Sequence, residues 1–190
     1  MRRVLLLFAL LAPAPLQAQL GEVHVGLLGS VGTGAAWGPG LGAIVGVAPG
    51  RLTYMGLRLQ AHRGPTEELQ GVEGMVGVRT RMTVVAADIG FMIPVGPVEV
   101  TPGISLGALR FSQQVDDPMV EGGFGSPTIA TEFYPAPTLA VLIRVKGIHL
   151  IPEIQADLAG DPDLRAPVSL RGVMFGLRVV IPFEVDRIRH

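Results

Sequence analysis

The chain contains no cysteine. A disulfide framework, a thiolate metal site and an acylated lipoprotein cysteine are therefore excluded. Charge is scarce as well: 16% of the 190 residues are Asp, Glu, Lys or Arg, against about 25% in an ordinary soluble domain. A soluble protein of this size needs more charge on its outside. The net charge of −1 gives no electrostatic case for nucleic acid as a partner. Aromatics are only 5%. After residue 18, no uninterrupted apolar run reaches the ~18 residues of a membrane helix. If the chain enters a membrane, it does so as strands.

What is present points the same way. There are 26 glycines and 16 prolines, and both residues break long helices. Hydrophobic residues make up 48%, enough for one domain with a real core. The opening "MRRVLLLFALLAPAPLQAQ" reads as a secretory signal. Arg2 and Arg3 form its basic start, Val4 to Ala12 its apolar run, and Pro13 and Pro15 end that run before the small residue Ala18. The expected division is residues 1–18 as signal peptide and 19–190 as one domain.

The stretch "YMGLRLQAH" (54–62) alternates Leu57, Leu59 and Ala61 with Arg58, Gln60 and His62. Only a β-strand puts such residues on two separate faces. Eight stretches have strand character: 22–30, 35–48, 51–63, 75–93, 97–111, 132–146, 148–159 and 169–183. Tight turns at 48–51, 94–98 and 145–148 alternate with longer links at 64–74, 112–131 and 160–167. An even strand count with short turns on one side and long loops on the other is the pattern of an outer-membrane barrel. In 75–93 the parity changes. Val76, Val78, Met82 and Val84 share one register, Ile89, Phe91 and Ile93 the other, so a β-bulge is expected near Val85 to Ala87.

This layout resembles the small eight-stranded outer-membrane β-barrels of the OmpA/OmpX-like kind, over nearly the whole chain beyond the signal and at the level of architecture. The resemblance implies an all-β, antiparallel, up-and-down transmembrane barrel, exported to a bacterial outer membrane. It implies outer-membrane lipid as surroundings, a monomer, and a structural, adhesive or surface-interaction role. An extracellular partner would be met through loops 64–74 and 112–131. No cofactor is implied.

The two faces then need an assignment. The polar faces carry Gly, Ala, Ser, Thr and scattered charges, a poor solvent surface. They suit a narrow eight-strand lumen, in which glycine makes room for long neighbours. Leu57, Leu139, Ile154 and their like are therefore expected to face lipid. The alternative is a soluble exported barrel, lipocalin-like, that turns this face inward around a small apolar ligand. Of the few aromatics, Tyr54, Phe91 and Phe183 are expected near the short-turn end and Trp37, Phe133 and Tyr134 near the long-loop end, as interfacial girdles.

With polar faces inward, the lumen gains Arg58, Arg79, Arg81, Arg144 and Arg178, balanced by Glu22, Asp88, Glu99, Glu153 and Asp157. Unpaired buried charge is costly, so a salt-bridged plug is expected. Asp88, Glu99 and Arg144 are placed low, Arg178 beside Glu153 at mid-height, and Arg58, Arg79 and Arg81 higher, facing Asp157. The competing reading is a pore or an anion site near Arg79 and Arg81. Other chemistry is thin. His24, His62 and His149 are scattered, with no pair at metal-ligand spacing on one strand, so no metal site is expected. Ser105 and His149 fall on non-adjacent strands and face inward, so no hydrolase arrangement is expected and the protein is not read as an enzyme. "GTGAAWGPGLG" opens a strand and lacks the lysine of a phosphate loop.

Overall fold

The computed structural model describes residues 20–33, 37–49, 52–70, 75–116, 127–162, 164 and 170–184. The proposed signal (1–18), half of the 112–131 link and the end of the chain lie outside the described residues. The strands, in chain order, are β1 (Leu20–Gly32), β2 (Gly40–Pro49), β3 (Thr53–Gln70), β4 (Met75–Phe91), β5 (Ile93–Val95), β6 (Val98–Asp116), β7 (Thr128–Val145), β8 (Ile148–Asp157) and β9 (Gly172–Glu184). All neighbours are antiparallel. β1 pairs with both β2 and β9, and β6 pairs with β4, β5 and β7, so the sheet closes on itself. β4 and β5 form a single stave interrupted at Met92, which makes eight staves in all. No helix among the described residues is long and apolar enough to cross a membrane.

Turn chemistry explains the short end. Lys146 and Gly147 both have positive φ, 37° and 86°. That pair makes the tight two-residue hairpin whose twist matches the flanking strands. Prolines explain two irregularities. The only register shift between β3 and β4 lies between Arg63 and Thr66, beside Pro65, which has no N–H to donate. Pairing of β7 with β8 stops at Thr138, just where Pro137 and Pro135 follow towards the loop end.

The bulge expected near Val85 to Ala87 is absent. The β3–β4 register runs without a shift from Thr53 opposite Phe91 to Arg63 opposite Arg81. Val78, Met82 and Val84 instead keep strict parity with Asp88 and point into the barrel. Strand bounds also move. β2 begins at Gly40, not at 35, while β3 and β6 run on to Gln70 and Asp116, into what the sequence marks as loops.

Candidate functional site

At mid-height the lumen holds a layer of charge. Arg58 on β3 is 1% exposed. Its guanidinium makes five hydrogen bonds, to Asp88 (3.3 and 2.9 Å), Glu153 (2.9 and 3.1 Å) and Gln155 (2.8 Å). Five is the full donor capacity of the group. Arg178 on β9 donates to Glu153 at 2.6 Å through Nε, contacts it again through Nη2, and lies 3.2 Å from Asp88. Ser105 on β6 donates to the other oxygen of Asp88 at 2.6 Å, and Gln155 donates to Ser105 at 3.2 Å. Two cations and two anions from β3, β4, β8 and β9 thus neutralise one another. Glycine makes this possible: a Cβ on Gly176 would sit 2.9 Å from the Glu153 carboxylate.

Apolar layers bound the charge on both sides. Towards the loop end lie Met82, Val84, Leu109, Phe111, Tyr134 and Met174, capped by Trp37 and Leu170. Trp37 Nε1 donates to the Leu170 carbonyl at 2.8 Å, and Asp161 accepts from the Leu170 N–H at 3.2 Å. Leu170 is thereby held in the barrel mouth, fully buried. Towards the turn end lie Ile44, Tyr54, Met92, Leu142, Ile151 and Val180. Tyr54 has its room because Gly46 and Gly56 carry no Cβ; one there would stand 2.5 and 2.7 Å from the phenol oxygen.

The expected lumen charges do not stay together. Arg58, Asp88, Glu153 and Arg178 meet in the central layer. Asp88 therefore lies at mid-height, not with the low pair, and Arg58 reaches Asp88 and Glu153 in place of Asp157. Asp157 is buried apart from them, accepting the Ala159 N–H at 2.9 Å. Arg144 and Glu99 pair at 2.8 Å at the turn-end mouth, where the arginine is half exposed. Arg79 and Arg81 are not in the lumen: both are exposed on the outer wall. The reason is the apolar upper lumen. Val78, Met82 and Val84 fill it, and parity sends their neighbours outward.

The outer wall carries the other apolar face. Leu57 is 62% exposed, Leu139 48% and Ile154 46%, and Leu27, Leu41, Phe91, Phe133, Phe175 and Phe183 are exposed with them. The lipocalin-like alternative needs these side chains inside and is overturned. Of the six expected girdle aromatics, Phe91, Phe133 and Phe183 face out, whereas Trp37, Tyr54 and Tyr134 are buried inside. Trp37 precedes β2, so strand parity does not govern it.

Above this belt the outside becomes basic. Arg63 on β3 stands directly opposite Arg81 on β4, and Arg110 on β6 stands opposite Thr83. Arg79 lies one step further towards the loops, between Thr66 and Gln114. All four arginines are exposed, with Glu68 an exposed acid beyond them. Arg63 is ten residues along β3 from Thr53 at the turn end, which at ~3.3 Å per residue and a tilt of ~40° is a height of about 25 Å. That equals the height of a typical apolar band, so the cluster marks its upper edge. Sequence parity missed Arg63 and Arg110 because Arg63 follows His62 at the strand's expected end and Arg110 lies in a run of mixed polarity.

One more grouping joins residues that the sequence keeps far apart. Glu22 and His24 on β1 and His149 on β8 point into the turn-end lumen, and their ligand atoms all lie within 4.8 Å of one another. β9 separates their strands, so no spacing along one strand could reveal it.

A closed eight-stave barrel with an apolar outside and a charged, hydrogen-bonded inside is a transmembrane β-barrel of the bacterial outer-membrane kind. Solved structures agree on the fold. The chain is similar to Neisserial surface protein A (TM-score 0.58, 12% identity, covering 86% of this chain and 96% of that one). It is similar to a major outer membrane protein of Thermus thermophilus (TM-score 0.62, 13% identity, 85% and 99% covered). It is also similar to Ail, the attachment invasion locus protein of Yersinia pestis, in complex with the heparin analogue sucrose octasulfate (TM-score 0.53, 11% identity, 86% and 99% covered). No family model and no curated protein matches the sequence.

Proposed function

We propose that this protein is a non-conducting, non-catalytic outer-membrane barrel that works from its outer surface, by holding clustered anionic groups on the arginines at the upper edge of its wall. One observation carries the reading: Arg63 and Arg81 are a directly opposed, exposed pair of like charges, flanked by Arg79 and Arg110. Like charges directly opposite on neighbouring strands destabilise a sheet. A phosphate or sulfate between two guanidiniums removes that repulsion and accepts bidentate hydrogen bonds from them. Residues 71–74 and 117–127, which link the strands that carry the cluster, would supply further contacts to a surface partner. The Yersinia barrel bound to a polysulfated sugar shows the same fold beside such a ligand and supports the choice of probe.

Closure of the lumen is the second half of the reading. It is supported by the neutralised charge layer between two apolar layers, and eight staves leave little room beyond side chains. The absence of catalysis is supported by Ser105, whose hydroxyl is committed to Asp88. Sucrose octasulfate should bind the detergent-folded barrel, more weakly as salt rises. The double variant Arg63→Gln/Arg81→Gln should lose most of that binding while remaining folded. Binding that ignores both salt and the double variant would reject the surface reading.

A further inference from the structure

We propose that Glu22, His24 and His149 form a binding site for a single divalent transition-metal ion of the zinc type, inside the turn-end mouth of the barrel. The site braces the seam at which the first and last staves meet.

The donor set is the first argument. Two imidazoles and one carboxylate suit zinc and its neighbours, whereas calcium and magnesium require oxygen ligands throughout. Geometry is the second. His24 Nε2 lies 3.1 Å from Glu22 Oε2, and His149 Nε2 lies 3.7 Å from Glu22 Oε1. Ligand atoms bound tetrahedrally at 2.0–2.2 Å stand about 3.3 Å apart, a value between those two distances. The two contacts use different oxygens of Glu22, and with one ligand atom from each residue every pair lies within 4.8 Å, so binding draws the donors closer together.

Burial is the third argument, and it is independent of the other two. His24 is 1% exposed and His149 4%, and Nε2 of His24, although 3.1 Å from Glu22 Oε2, makes no hydrogen bond. Buried polar atoms in a folded protein are satisfied as a rule, and an ion bound here gives Nε2 of His24 a partner, each ring binding through one nitrogen. The rings meet edge to face at 5.3 Å, so they are packed in place. Glu22 remains partly exposed at 23% of its side chain, which leaves an entry path from the mouth. The neighbouring charges do not compete: Arg144 is paired with Glu99, and Arg178 with Glu153 and Asp88.

Position gives the consequence. β1 and β9 form the closing pair of the barrel, and β8 lies on the far side of β9. An ion held by β1 and β8 spans β9 and ties the seam from within. A metal that binds only the folded barrel raises its stability by mass action.

The test titrates Zn²⁺ into the metal-free barrel purified in detergent micelles. Calorimetry should show one ion per chain, Co²⁺ should give the visible bands of a four-coordinate site, and Zn²⁺ should raise the unfolding temperature. His24→Gln, His149→Gln and Glu22→Gln should each weaken binding by roughly tenfold or more, at least what losing a supporting partner costs a metal site. His62→Gln, outside the cluster, should leave binding unchanged. Glu22 is partly exposed, so its variant reads out the site even if a histidine variant fails to fold. Lack of stoichiometric binding in the folded wild type overturns the proposal, and so does binding that survives in all the folded cluster variants. A water bridging the three side chains would give the first of these results.

Discussion

Arg58 saturates its guanidinium with five hydrogen bonds to Asp88, Glu153 and Gln155. Such a layer resists piecemeal change. Removing one partner strands an opposite charge where water does not reach, at about 3–5 kcal/mol. Arg178→Ala should therefore lower the urea midpoint of the folded barrel strongly, and Arg110→Ala on the exposed wall should barely move it. Equal effects from the two substitutions would mean that the central layer is not desolvated. The register of Arg58, Glu153 and Arg178 was legible because each lies beside residues of an apolar face: Leu57 and Leu59, Ile154, and Leu177 and Val179. It failed for Arg79 and Arg81, because Val78, Met82 and Val84 look like a lipid face. Those side chains in fact line an apolar storey of the lumen, and a sequence carries no height coordinate to distinguish the two. The cluster of Glu22, His24 and His149 was illegible for a related reason: its members meet only through closure of the sheet.

A strand in this barrel has one lipid face and one lumen face, and the two tolerate different chemistry. On β8, Ile154 points out and Gln155 points in. Ile154→Arg puts charge into the hydrocarbon, at roughly 2–4 kcal/mol near the midplane. Thr138→Ser on the inner face of β7 should cost far less. Folding yield into lipid vesicles reads the difference, and similar yields would contradict the assigned faces. The turns obey a different rule. Gly147 has φ 86° with nothing near its would-be Cβ, so a side chain there meets backbone strain and no clash. Gly147→Val should cost about 1 kcal/mol or more, whereas Gly160→Val, with open space and no positive φ, should be neutral in the same urea titration. Strand parity and the short turns were legible in the sequence, since period two and Lys-Gly chemistry are local. Strand ends were less so. β3 and β6 extend past their expected limits because pairing with β4 carries them on, and β4 needed no bulge once its apolar residues had an apolar lumen to enter.

At the scale of the whole molecule, the barrel is layered along its axis. An apolar storey under Trp37 and Leu170, a neutral layer of two arginines and two acids, and an apolar storey around Tyr54 succeed one another from loop end to turn end. A cavity of about 30 Å³ lined by residues such as His24, Tyr54, Met92, Thr101 and Arg178 lies below the charge layer, room for a water or two. On the closed-lumen reading, an ion crossing this axis would have to displace the saturated ion cluster between two mainly apolar storeys. On the proposed function, the protein works from its outside, where lipid and the arginine edge are. Single-channel recording of the purified wild-type barrel in a planar bilayer tests this claim most directly. The account predicts insertion without a steady open level. A large, steady conductance would contradict it and make the charge layer a filter instead of a plug.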